Sequence, residues 1–154
     1  LGSRGLGDVY KRQVIDRVKK VHDFLTVGAA APLMEAAVTG LKFGDDYYEG
    51  LAAHYTHMKE LFCGGLKNLG FTFTEPQGAY YVLMDVSEFG VKDDVKFCEW
   101  MTEHVGVAAV PGSSFFREDV HNLIRFHFAK KDETLNAALD NLATLRAKAD
   151  GFKE

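Results

Sequence analysis

The order of apolar and polar positions changes period several times along the chain. From Val14, apolar residues return every three or four positions (Ile15, Val18, Val21 and Leu25), with Asp16, Arg17, Lys19 and Lys20 between them. That spacing predicts an amphipathic helix. Residues 26–31 interrupt it with Gly28. Pro32 then suits the first turn of a second, alanine-rich helix, where its missing N–H costs no hydrogen bond. A third helix opens at Gly44-Asp45-Asp46 and runs to Leu69-Gly70. Leu51, His54/Tyr55, Met58, Leu61/Phe62 and Leu66 form its inward stripe, and Gly70 is a natural stop.

Beyond Gly70 the period shortens to two. Residues 71–73 predict a short strand, Glu75-Pro76-Gln77-Gly78 a turn, and residues 79–86 (AYYVLMDV) a strong strand, this pair being expected at the sheet's centre. Asp93-Asp94 caps a helix reaching His104, with Phe97, Cys98 and Met101 inward. Residues 107–110 form an apolar run stopped by Pro111-Gly112. In the segment from Leu123 to Phe128, Ile124, Phe126 and Phe128 point to one face, and Leu123, Arg125 and His127 to the other. A last helix over residues 131–147 carries Leu135, Ala138/Leu139, Leu142 and Leu145 in register.

Arg125 is the residue on which the chemistry turns. A guanidinium in so apolar a strand is costly unless an anion meets it, and its planar fork matches a carboxylate through two parallel hydrogen bonds. Two readings stand side by side: a structural one, in which Arg125 pairs with one of the chain's own acids or reaches water from an edge strand, and a socket for a carboxylate ligand. His54 and His57 form an HxxH pair, but no further ligand motif follows, so they read as surface histidines and no metal is expected. The formal net charge of −4 argues against nucleic acid or an anionic membrane as partner. No apolar run is long enough to span a bilayer. Cys63 and Cys98 lie in helical patterns without a CxxC motif, which fits reduced thiols and a cytoplasmic setting.

Four stretches together resemble a known family: residues 29–41 (AAAPLMEAAVTGL), 71–86 (FTFTEPQGAYYVLMDV), 105–115 (VGVAAVPGSSF) and 123–129 (LIRFHFA). In this order and spacing they resemble the C-terminal small domain of the class I/II aminotransferases, the fold-type I pyridoxal-phosphate enzymes, over about residues 14–148. The resemblance implies an α+β small domain, with a short four-stranded mixed or mainly antiparallel sheet and helices packed on one side. Residues 14–42 would be linking helices, 43–148 the small domain and 149–154 a fraying tail. Residues 1–13, LGSRGLGDVYKRQ, look non-native and are expected to be disordered.

The same resemblance implies that Arg125 binds the substrate α-carboxylate and that Tyr80 lines the substrate pocket. It implies amino acid and 2-oxo acid substrates, pyridoxal 5'-phosphate as cofactor and a homodimeric intact enzyme. None of the twelve lysines sits in the family's Schiff-base setting. The chain is therefore expected to be an N-terminally truncated fragment that lacks its large domain, holds no cofactor and is inactive alone. Two alternatives accompany this reading: an effector-sensing aminotransferase-like domain of a bacterial transcription regulator, and a stand-alone interaction domain.

Overall fold

The computed structural model describes residues 12–25 and 28–152. The chain divides into two compact units between Leu51 and Ala52. In the first, α1 (Arg12–Leu25) leaves Val14, Val18, Val21 and Leu25 exposed along one side. α2 (Ala31–Leu41) has proline in its first turn and buries no residue. Of the leader predicted as disordered, residues 1–11 lie outside the described residues, whereas Arg12 and Gln13 already belong to α1.

α3 (Asp45–Asn68) begins and ends where its acidic start and Gly70 stop predict. Gly70 takes φ 75°, a left-handed conformation that a residue with a Cβ adopts only at a cost. Only the second half of the stripe is buried, through Met58, Phe62, Cys63 and Leu66, whereas Leu51 is exposed.

In the second unit, β1 (Phe73–Thr74), β2 (Tyr81–Asp85), β3 (Val110–Pro111) and β4 (Leu123–His127) form one sheet of order β1-β2-β4-β3. Every pair is antiparallel. The centre is thus β2 with β4, and the pairing of β1 with β2 expected there lies at the edge. The physical reason is the longer register of the central pair, with five residue partners from Tyr81↔His127 to Asp85↔Leu123. The alternation read from the sequence holds: Val82, Met84, Ile124 and Phe126 are buried on one face. Against that face pack α3, α4 (Asp94–His104) and α5 (Asp132–Leu142), joined by Leu145 of α6 (Leu145–Ala149). The fold is α+β with its helices on one side, and the face bearing Tyr81, Leu83 and Arg125 is half-buried.

Three details depart from the sequence reading. The last helix breaks at Ala143-Thr144, where the Thr144 hydroxyl donates to the Asn141 carbonyl at 2.8 Å and competes with the helical ladder. Phe152, placed in a fraying tail, packs edge-on against Phe97 at 5.2 Å between ring centres, and that aromatic contact holds the end down. α3 and α5 approach closely at Gly65, where a Cβ would lie 2.3 Å from a Leu139 methyl. Cys63 and Cys98 are unbridged and buried, and burial pushes their thiols up to about 11 and about 12.

Candidate substrate-carboxylate site

The site grows from β4. Arg125 pairs with Leu83 of β2 on one side and Val110 of β3 on the other, so its backbone is fixed within three strands. Its neighbours Ile124 and Phe126 are locked into the core, which obliges the arginine side chain to the opposite face. There its guanidinium carbon lies 4.2 Å from the centre of the Tyr81 ring and 3.7 Å from that of Phe115. Both are cation–π distances, and the rings shield the charge from water without occupying its N–H donors. Among the described residues, no carboxylate pairs with this guanidinium and no oxygen accepts a hydrogen bond from it. The internal ion pair weighed from the sequence is absent from the described residues.

A cleft of about 580 Å³ opens before it, walled by Tyr81, Leu83, Phe115, Phe116 and the turn at residues 74–77. Its one acidic wall residue, Glu75, is engaged by the Lys59 ammonium at 2.9 Å. The arginine's positive field is felt nearby. Burial first, then the charges of Lys130 and Arg125, hold the His127 imidazole below its ordinary value. The hydrogen-bonding fork, set between aromatic walls and unneutralised by the described side chains, has the donor geometry that matches a planar anion.

Tyr80 stands beside this cleft without being one of its wall residues. It is exposed, stacks on Tyr55 at 5.9 Å and receives a hydrogen bond of 3.2 Å from the Tyr81 hydroxyl. The neighbouring Tyr81 hydroxyl, first among the causes, raises the Tyr80 phenol above its usual range. Tyr81, not singled out from the sequence, is the tyrosine that walls this cleft. Its parity carries the signal: antiparallel pairing with β4 puts Tyr81 and Leu83 on the face of Arg125 and turns Tyr80 away. Phe115 was also missed, because it enters from a loop.

A buried carboxylate holds that loop. Asp93 caps α4, accepting from the Val95 and Lys96 N–H groups at 3.1 Å each. Asp94 turns inward instead and is the one charged side chain buried among the described residues. Its Oδ2 accepts the Ser113 N–H at 2.8 Å, and its Oδ1 meets Nδ1 of His121 at 3.0 Å. Burial works against its ionisation, but the bonds from Ser113 and His121 outweigh it and hold the carboxyl below the usual range. His121, bonded to Asp94 and then to Asp119, is held above its ordinary value.

No lysine lines the cleft of about 580 Å³, whereas Lys130 lines a separate cavity of about 490 Å³ that Arg125 also borders. Among the described residues, no cluster of three or more His, Cys, Asp or Glu is placed to hold a metal ion, and His57 is paired with Asp132 at 2.8 Å. No helix among them is long and apolar enough to cross a membrane.

Comparison with known proteins agrees with this architecture. The family model for aminotransferase class I and II matches residues 4–142, starting within the leader that the sequence reading set apart. The methionine aminotransferase of Escherichia coli strain K12 is 35% identical over 129 residues, covering 83% of this chain and 33% of the relative. A probable N-succinyldiaminopimelate aminotransferase DapC of Mycobacterium tuberculosis is 30% identical over 143 residues, covering 86% of this chain and 36% of the relative. Among solved structures, the N-succinyldiaminopimelate aminotransferase from M. tuberculosis superposes with a TM-score of 0.71 at 30% identity, over 86% of this chain and 35% of that one. The aspartate aminotransferase of Thermotoga maritima gives 0.68 at 31% identity, over 88% and 33%. The chain thus spans about a third of the length of the relatives it matches. With the matched segment and the fold in agreement, the chain belongs to the class I and II aminotransferases.

Proposed function

We propose that this chain is the C-terminal, carboxylate-reading part of a pyridoxal-phosphate-dependent aminotransferase that moves an amino group between an amino acid and a 2-oxo acid. Arg125 binds the α-carboxylate of either partner. The observation that carries this reading is the state of its guanidinium: fixed by three strands, stacked on Tyr81 and Phe115, paired with no described carboxylate, and facing a cleft of about 580 Å³.

Pyridoxal phosphate, when bound, supplies the electron sink that lets the substrate's Cα proton leave. The residues that wall the cleft of about 580 Å³ include no lysine to attach that group. The contribution of this chain is orientation. By fixing two carboxylate oxygens, Arg125 sets the direction in which the Cα–H bond points. Tyr80 bears on the same site through its hydrogen bond from Tyr81. A homodimer and a cytoplasmic setting belong to the same reading; buried, unbridged Cys63 and Cys98 suit a reducing compartment.

The reading is tested in an aminotransferase that contains this segment, by offering each amino acid beside its decarboxylated amine. The amino acid should turn over and the amine should not. Equal turnover of the two would remove Arg125 from the role given it here.

A further inference from the structure

A buried carboxylate is expensive, and helix α4 does not need the one at Asp94, because Asp93 already caps it. What Asp94 does with its two oxygens is specific. Oδ2 takes the N–H of Ser113, two residues before Phe115, and Oδ1 takes His121, two residues before β4 begins at Leu123. One carboxylate therefore ties both ends of the loop that carries Phe115 and Phe116 into the cleft. The near end is pinned a second time. A Cβ on Gly112 would lie 2.3 Å from the Leu123 carbonyl oxygen, so the chain passes β4 at a distance only glycine allows. The next turn closes through the bond from the Phe115 N–H to the Gly112 carbonyl at 2.8 Å. The result is Phe115 set 3.7 Å from the Arg125 guanidinium carbon.

We propose that Asp94 is a positioning residue for the Arg125 cleft: it fixes the 113–121 loop so that Phe115 lies on the guanidinium and leaves the hydrogen-bonding fork directed at an incoming carboxylate. Asp94 touches neither the arginine nor the ligand and acts through the loop. His121 is the second member of the clamp, braced from outside by Asp119 at 2.8 Å. This inference rests on Arg125 being a carboxylate site, and its test separates the two ideas.

The test has two readouts on the full chain: the ring-current displacement of the Arg125 side-chain proton signals without ligand, and the affinity for propionate. Asp94→Ala should return the Arg125 signals toward their unstacked positions and weaken propionate about ten-fold, the scale of one lost charge-assisted hydrogen bond. Asp94→Asn should restore most of both, because its amide oxygen still accepts the Ser113 N–H. His121→Ala, at a partly exposed position, should fall between and provides the reading if Asp94→Ala does not fold. If these variants lower the melting temperature yet leave the Arg125 signals and propionate affinity at wild-type values, Asp94 is structural only and the inference is overturned. If Asp94→Ala displaces the signals while the wild type binds no propionate, the positioning role stands and the carboxylate reading falls.

Discussion

Arg125 and Arg146 make an instructive pair, since each lies on an aromatic ring and only one is spent on the fold. Arg146 sits 4.4 Å from the centre of Phe71 and grips Glu88 with Nε and a terminal nitrogen, both at 2.9 Å. Its other donors reach the carbonyls of Leu69 and Gly70, acceptors left over where α3 ends. Every part of that fork is used by the chain itself, and its work is to close a helix against α6. Arg125 has the rings without the oxygens. Stacking alone therefore does not mark a ligand site. What sets Arg125 apart is its unengaged fork over open space.

The contrast can be pressed by experiment. The largest effect is expected from Arg125→Ala in an aminotransferase containing this segment: about 2–5 kcal/mol lost from transition-state binding, read from kcat/KM. The melting temperature should fall only a little, because the fold loses the stacking on Tyr81 and Phe115 but no ion pair. Next comes Gly112→Ala, where the added methyl meets the Leu123 backbone and not a flexible side chain. Denaturant melts should show a loss of about 1–3 kcal/mol, the usual cost of overpacking. Arg146→Gln should reverse the Arg125 pattern. It leaves Glu88 and two carbonyls without their partner, lowering stability by about 1–2 kcal/mol while propionate affinity holds. A matching loss of affinity would mean that the two arginines are not separate in function.

The smallest effect is a pH dependence. His121 is held above its ordinary value, so the folded chain favours its protonated form. Its contribution is complete below about 6.5 and fades as pH rises through the raised folded value. Asp94 is held low, so its contribution is complete above about 3.9 and is lost as pH falls through the depressed value. Between about pH 6 and pH 8 the wild type should lose more stability than His121→Ala in parallel melts. Equal slopes would mean that the Asp94–His121 contact carries no charge.

Much of this was readable in the order of residues. Alternation through β4 placed Arg125 opposite Ile124 and Phe126, and that placement is a consequence of strand geometry alone. Helix starts and stops followed from Pro32, Asp93 and Gly70. What could not be read depends on contacts distant in sequence. The two adjacent acids Asp93 and Asp94 look alike, and only the arrival of Ser113 and His121, 19 and 27 residues further on, assigns one to the helix cap and the other to the interior. Which tyrosine shares a face with Arg125 likewise waits on the register between β2 and β4. The break after Leu142 carries no glycine or proline to announce it.

The sheet is short at both of its edges. β1 and β3 are each two residues long, and Pro111 in β3 has no N–H to offer. A foreign polypeptide trying to extend the ladder would find scarcely a rung on either side. Edges so short, one of them bearing a proline, are a poor template for the strand-by-strand growth that leads to fibrils.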